Sequence, residues 1–328
     1  MTYKLGPWVR LEGVSIQQLP PGAIPLHGAS SDSKESAEAP KERDDNGSIS
    51  AANIFSFITS ILAESIPFID GVAPKSGGPS TWKAKGAPKK FPTSKAPVHL
   101  CEWTVPGAEL DQVSGMSQFS ADRKDEYWCC RKSVHRDVAE TGTATWREFV
   151  HNFKDHHAES ERDFTPTVME ARKALEWDTE GIEVEVNGER WDNITMVLCE
   201  SKHKIDPKPL KNRTFPVVQV TAMLAGAKEF LVISIPLTDF DKSPYSKFAK
   251  DKSLVIASYT SIERVRVLPD SGDIEWIMAT ASNAKGVLPQ FVQNMAVPGA
   301  IAKDVEFFMS WIPTQRASGN GMPADVSG

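Results

Sequence analysis

The sequence predicts an α+β fold in which one curved antiparallel sheet packs on a long C-terminal helix, with a helical extension at the N-terminus. Two observations predict it. Five or six strand-like segments follow one another between residues 182 and 281 with no long helical interruption, and strands joined without crossover helices must pair antiparallel. The last forty residues then return to a helical apolar stripe, and a curved sheet needs such a cover for its concave face. The chain of 328 residues, 40% hydrophobic and 24% charged, is long enough to bury a substantial core as one large or two ordinary domains.

The elements follow in order. Residues 28–48 contain no aromatic and no large aliphatic side chain, so they bury too little to offset their ordering entropy and are expected to be disordered. Ser50 caps an amphipathic helix over 51–66, with Ile54, Phe57, Ile58, Ile61 and Leu62 on one face, ending before Pro67. The stretch 67–97, rich in Pro, Gly, Ser and Lys, reads as a long surface connection. Together residues 1–100 form the extension, 101–313 the principal domain and 314–328 a loose tail. Within the domain, Tyr127–Val134 predicts a strand, and the capping-box spacing of Thr145 and Glu148 opens a helix carrying Trp146, Phe149, Val150 and Phe153. Thr165–Pro166 predicts a further helix with Val168, Ala171 and Leu175 inward. Strands are then expected at Ile182–Val186, Ile194–His203, Phe215–Leu224, Phe230–Leu237, Leu254–Leu268 and Ile274–Ala281, separated by turn signals such as Asn187–Gly188. Leu288, Phe291, Val292 and Met295 start the final helix, Pro298–Gly299 are expected to break it, and Ile301, Val305, Phe308 and Ile312 resume it. This order is that of a helix-grip, whose sheet and helix enclose an apolar cavity.

Composition excludes several classes. With 37 basic and 43 acidic side chains the formal charge is −6, which argues against a nucleic-acid partner. There is no apolar run of 18 residues, and Met1–Pro20 do not read as a secretory leader, so a membrane span is not expected and a cytoplasmic setting is. The four cysteines form no CxxC pair and no disulfide framework. No P-loop, dinucleotide fingerprint, nucleophile elbow or HExxH motif occurs, and no cofactor is expected.

The segments WCCRKSVHRD (128–137), TATWREF (143–149), HHAESERDFTP (156–166), ITMVLCESKHK (194–204), PLKNRTFPVV (209–218), FLVISIPL (230–237) and SYTSIERV (258–265) carry a resemblance to a known family, as does the most specific block, 274–312. They resemble a mostly fungal family, domain of unknown function 3074, of the START-like (SRPBCC) superfamily. The likeness covers most of Leu5 to Ile312 apart from the disordered insert and the Lys-rich loop. It implies a START-like helix-grip and a cavity for a lipid or other apolar small molecule. The chain departs from the family at Ser282–Asn283–Ala284–Lys285–Gly286, where an Asp is usual at the second position, and at Glu200–Ser201–Lys202–His203, where Glu-Met-x-His is common. A chemistry resting on that lost carboxylate does not carry over.

Several side chains are candidates for the cavity. Arg131, if it points inward between Trp128 and Val134, needs a carboxylate partner or an acidic ligand group. Glu200 shares parity with Met196 and Leu198, and Glu263 with Tyr259 and Val265; both sit on faces that look buried, where a carboxyl is either paired with a cation such as Arg131 or Arg213 or becomes an acid–base group. His203, of opposite parity to Glu200, is the candidate base beside Glu200 and Glu263 as catalytic candidates. Arg213, Trp276, Met278 and Thr280, with Phe291 and Met295 on the helix, are the other candidate ligand contacts. Residues 274–281 are apolar at both parities, which predicts a strand covered on both sides. His157 and Glu161, spaced i,i+4, could hold one edge of a metal, but no second ligand pair appears and the charged segment reads as a solvated helix; no metal is expected. Lys83, Lys85, Lys89, Lys90 and Lys95 permit a peripheral membrane contact or form a solubilising loop. Three functions remain: binding of an apolar ligand, a cofactor-free cyclase, isomerase or hydrolase of secondary metabolism on the same scaffold, and an interaction module with a filled core.

Overall fold

The computed structural model describes residues 6–26, 54–75, 77–113, 124–287 and 289–318. The segment 28–48, expected to be disordered, lies outside them, as do residues 319–328 of the expected tail.

In chain order the elements are β1 (Ile24–Pro25), α1 (Ile54–Asp70), β2 (Lys83–Ala84), β3 (His99–Val105), α2 (Gly107–Leu110), β4 (Glu126–His135), α3 (Trp146–Phe149), α4 (His157–Phe164), β5 (Val168–Trp177), β6 (Val184–Val186), β7 (Glu189–His203), β8 (Arg213–Leu224), β9 (Glu229–Pro236), β10 (Val255–Ile256), β11 (Ser258–Val267), β12 (Ile274–Asn283) and α5 (Gln290–Ala317). Among the described residues, twelve strands form one sheet in the order β1-β5-β7-β8-β9-β11-β12-β4-β3-β2, with β6 on β7 and β10 on β8. All pairings are antiparallel except the short parallel contact of β10 with β8. Asn187 and Gly188, both at positive φ, close the β6–β7 hairpin, a turn whose twist suits the flanking strands.

Both faces of the sheet are covered. Phe57, Ile58, Ile61 and Leu62 of α1, joined by Trp8, Val9 and Val14, share one cluster with Met196, Leu198, Leu231, Ile233, Ile262, Ile277 and Ala279. Buried polar ties fix this layer. Glu64 accepts from the amides of Trp8 and Val9 at 3.1 and 2.9 Å, and Arg264 pairs with Asp70 and donates to the Ala73 carbonyl. The opposite face, that of Trp276, Val265, Val232 and Phe230, is covered by α3, α4 and α5. There Phe153 lies 4.7 Å from both Trp276 and Phe308, ring centre to ring centre. Residues of β12 are therefore buried at either parity, as its composition predicts.

Three local expectations are corrected. The predicted helix after Pro166 is strand β5, paired with β7 through two register shifts; those irregularities erase the two-residue alternation, and Val168–Trp177 is rich in good helix formers, so only the pairing with β7 overrides propensity. α1 runs through Pro67 to Asp70, because burial of Phe68 and Ile69 outweighs the one amide bond that Pro67 lacks. α5 is not broken at Pro298–Gly299, and it continues past Pro313 to Ala317, where a tail was expected to begin.

Candidate functional site

Sheet register assembles the site. Arg131 of β4 pairs with Met278 of β12, which pairs with Glu263 of β11, so the three stand in a row on the face beneath α5. The capping box of Thr145 and Glu148 starts α3, which runs on as a π-helical turn over Val150–Asp155 and stops at His156. α4 begins there and carries His157 and Glu161, one turn apart, over the same face. α5 lays Val297, Ala300, Ile301 and Asp304, all on one helical side, across the top. Between sheet and helices lies a cavity of about 260 Å³, with Phe153, Phe164, Phe215, Met278 and Ile301 on its apolar wall.

The polar end of the cavity is a connected cluster. Arg131 is 2% exposed, and its Nη2 donates to Glu263 Oε1 at 3.0 Å. The Trp276 indole donates to the same oxygen at 2.6 Å, and the guanidinium lies 3.9 Å above that indole ring. Glu263 Oε2 is 3.4 Å from His157 Nε2. His157 Nδ1 is 3.3 Å from Gln219 Nε2 and 3.9 Å from Glu161 Oε2. Asp304 Oδ2 lies 3.8 Å from Arg131 Nε. Arg131 Nε and Nη1 are buried without a hydrogen-bond partner among the described residues, so the guanidinium has unused donors beside the cavity.

Electrostatics separates the carboxyls. Burial pushes Glu263 upward, but the His157 hydrogen bond and the Arg131 charge outweigh it and hold the group below the usual carboxylate range. Burial lowers His157, yet its bond to Glu263 and the charge of Glu161 prevail and raise it. For Asp304 burial wins: the carboxyl is raised to about 7, with Arg131 only partly opposing. Its side chain keeps 27% of its surface accessible. Burial also lowers His203 and raises Tyr259.

The structure brings Arg131, Glu263, His203, Met278 and Thr280 to the cavity wall. His203 contacts Ser201 Oγ at 3.0 Å and meets Phe215 edge-on, while Thr280 donates to the Thr260 carbonyl. Trp276 is fully buried, beneath Arg131 rather than on the wall. Three other groups of candidates lie elsewhere. Glu200 is on the opposite face of β7, where it takes the Arg172 guanidinium at 2.8 Å and the amides of Lys247, Phe248 and Ala249, and so anchors the chain before β10. Arg213 donates to the carbonyls of Lys211, Ala284 and Lys285, holding the approach to α5. Phe291 and Met295 are 67% and 78% exposed on α5, outside the cavity.

His157, Glu161 and Asp304 belong to the site without having been read into it. His157 and Glu161 are visible in sequence as a spaced pair, but their charged surroundings read as solvated. Asp304 carried the better signal: a carboxylate in register with Ile301, Val305 and Phe308 on an otherwise apolar stripe.

Chemically, the arrangement can fix one polar group at the Arg131–Asp304 end of an apolar pocket, and it places a carboxyl that titrates near neutrality beside a His–Glu pair. No curated protein matches the sequence. Among solved structures, the chain is similar to human STARD10, 13% identical over 79% of this chain and 84% of that one with a TM-score of 0.48. It is similar to human StAR-related lipid transfer protein 5, 9% identical over 80% and 98% with a TM-score of 0.49. A STAR-related lipid transfer protein from Xanthomonas axonopodis is 13% identical over 71% and 98%, with a TM-score of 0.42. The model of a family described as "Protein of unknown function (DUF3074)" matches residues 128–312, more than half of the chain.

Proposed function

Because this chain belongs to the DUF3074 family, defined without an assigned activity, we propose its function from the cavity itself: it binds a lipid or another apolar small molecule between the sheet and α5. The single observation that carries this reading is the cavity of about 260 Å³ between sheet and helices, apolar over most of its wall and ending at Arg131 and Asp304. A largely apolar pocket with a few convergent polar groups is the ordinary form of a small-molecule site. The START-like architecture agrees with a lipid-binding role. Phe291, Val292 and Met295, exposed on the helix that roofs the cavity, suit a peripheral membrane contact during uptake. Four free thiols, three of them buried, suit a reducing, cytosolic setting.

A second reading has its own observation. Asp304, raised to about 7, has a proton to give near neutrality, opposite a His157–Glu263 pair and beside the free donors of Arg131. That is the equipment of a cofactor-free enzyme acting on a carbonyl substrate, with Asp304 as acid, His157 as base and Arg131 stabilising a developing oxyanion.

One experiment addresses both. Purified protein is examined by native mass spectrometry and organic extraction, alongside Ile301→Trp, which fills the cavity. A stoichiometric apolar passenger absent from the Ile301→Trp protein is expected; wild-type protein that is empty and takes up neither a fatty-alcohol nor a fatty-acid probe defeats the binding reading. Recovery of the added ligand unchanged supports a carrier, and recovery of a product that Asp304→Asn fails to make supports the enzyme.

A further inference from the structure

We infer that the cavity accepts an uncharged hydroxyl- or carbonyl-bearing apolar ligand in preference to an anionic one, and that Asp304 is the residue that rejects the anion. The inference rests on the ligand-binding reading above and adds the ligand's headgroup class.

The charges facing the polar end leave no cation to spare. Arg131 on β4 is matched by Glu263 on β11 at 3.0 Å. His157 on α4 sits between Glu263 at 3.4 Å and Glu161 at 3.9 Å. Asp304 on α5 remains, 3.8 Å from Arg131, its one ion-pair partner among the described residues. His203 on β7, lowered by burial, contributes no positive charge near neutrality. An entering carboxylate or phosphate would therefore meet three carboxyl groups while the one guanidinium is already engaged, and like charges at such range in a partly dry site repel strongly.

An uncharged group meets the opposite situation. Arg131 Nη1 and Nε are buried and have no hydrogen-bond acceptor among the described residues. A ligand hydroxyl can accept from that guanidinium and donate to the Asp304 carboxylate at the same time, and a carbonyl can accept from Arg131 and from protonated Asp304. Both fill hydrogen-bonding capacity that the protein alone leaves open. The cavity, about 260 Å³, lies at or below the lower end of ordinary ligand pockets, roughly 300–1,000 Å³, which favours one chain or one compact ring system.

The test compares radiolabelled hexadecanol with hexadecanoate, equal in chain and different only in head, by equilibrium dialysis of the full chain at pH 8. Hexadecanol is expected to bind at least about tenfold more tightly. In Asp304→Asn, hexadecanoate should gain most of that factor while hexadecanol changes little; Asp304→Ser serves if the Asn protein fails to fold. Lowering the pH to 6 should narrow the wild-type ratio as Asp304 takes up its proton. His157 also gains charge over that interval, so an equal narrowing in Asp304→Asn would transfer the effect to His157 and overturn the assignment. Hexadecanoate binding as well as hexadecanol in wild type at pH 8, or an unchanged ratio in Asp304→Asn, overturns it too. If neither compound binds and the extraction experiment is also empty, it is the ligand-binding reading that falls, and this inference with it.

Discussion

Asp304 is a carboxyl whose ionisation works against the fold. Its proton is held more firmly in the folded chain than in the unfolded one, where the group titrates near 3.9. The fold therefore has its full stability from this group below that value and loses it as pH rises through about 7. Asp304→Asn removes the penalty. Urea denaturation should find the variant more stable than wild type by on the order of 1–2 kcal/mol at pH 8 and not at pH 4; equal gains at both would show that charge is not the cause. Glu263 behaves oppositely, since a carboxyl held low contributes its stability above its unfolded value and forfeits it as pH falls through the folded one. The same row of residues thus contains one carboxyl that must be ionised and another that folding prefers protonated.

At the scale of elements, α5 is secured unequally. Near its C-terminal end Arg316 clasps Glu148 of α3 with two bonds of 2.6 and 2.7 Å and donates to the carbonyls of Glu140 and Thr143. Burial would raise Glu148, but Arg316 outweighs it and the group lies below its ordinary range. The first turns of α5 have Gln290 and Gln293 bonded to the end of β12 and the residue following it, and otherwise present Phe291, Val292 and Met295 outward. A helix fixed at one end and lightly held at the other is suited to admit a ligand at the light end. Arg316→Ala is expected to cost about 2 kcal/mol and, by hydrogen exchange, to deprotect residues 305–317 more than the cavity-facing strands. Uniform loss of protection across the sheet would contradict this division.

For the whole molecule, the controlling feature is a sheet covered on both sides, by α1 and the N-terminal segment on one face and by α3, α4 and α5 on the other. The layers are joined by ion pairs as well as by apolar packing, Glu263 to His157 of α4 on the cavity side and Arg264 to Asp70 of α1 on the other, and Glu263 and Glu148 both belong to the cavity layer. Acid should therefore act there first. As pH falls below about 4.3, the ordinary value for Glu, Glu263 and Glu148 must take up protons that their folded partners resist. Stability is expected to decline steeply over that interval, with aromatic signals of Trp276 and Phe308 lost before the α1 layer; simultaneous loss of both layers would refute the order.

How much of this was legible in the sequence follows from which interactions are local. The meander β7–β8–β9–β11–β12, the Asn187–Gly188 turn, the capping box at Thr145 and the long apolar C-terminal helix all follow from periodicity and turn chemistry within short windows, and so does the inference that β12 is buried on both sides. The last of these also explains where sequence reading stopped. When both faces of a strand are apolar, parity says that Glu200 and Glu263 are buried but not which of them looks into a cavity; the positions of α1 and α5 decide that, and they put Glu200 in a structural anchor and Glu263 beside the pocket. Strand β5 was hidden because its ladder to β7 is irregular, and the cluster of Arg131, His157, Glu263 and Asp304 because its members are separated by as many as 173 residues, 304 minus 131. The sequence by itself determined the class of fold, the order of its principal strands and the helix that would cover them, since those depend on local propensity and on the need to bury apolar faces. Only the tertiary structure decided which charges meet, because a charge pair is made by register and helix placement and leaves no periodic trace in the chain.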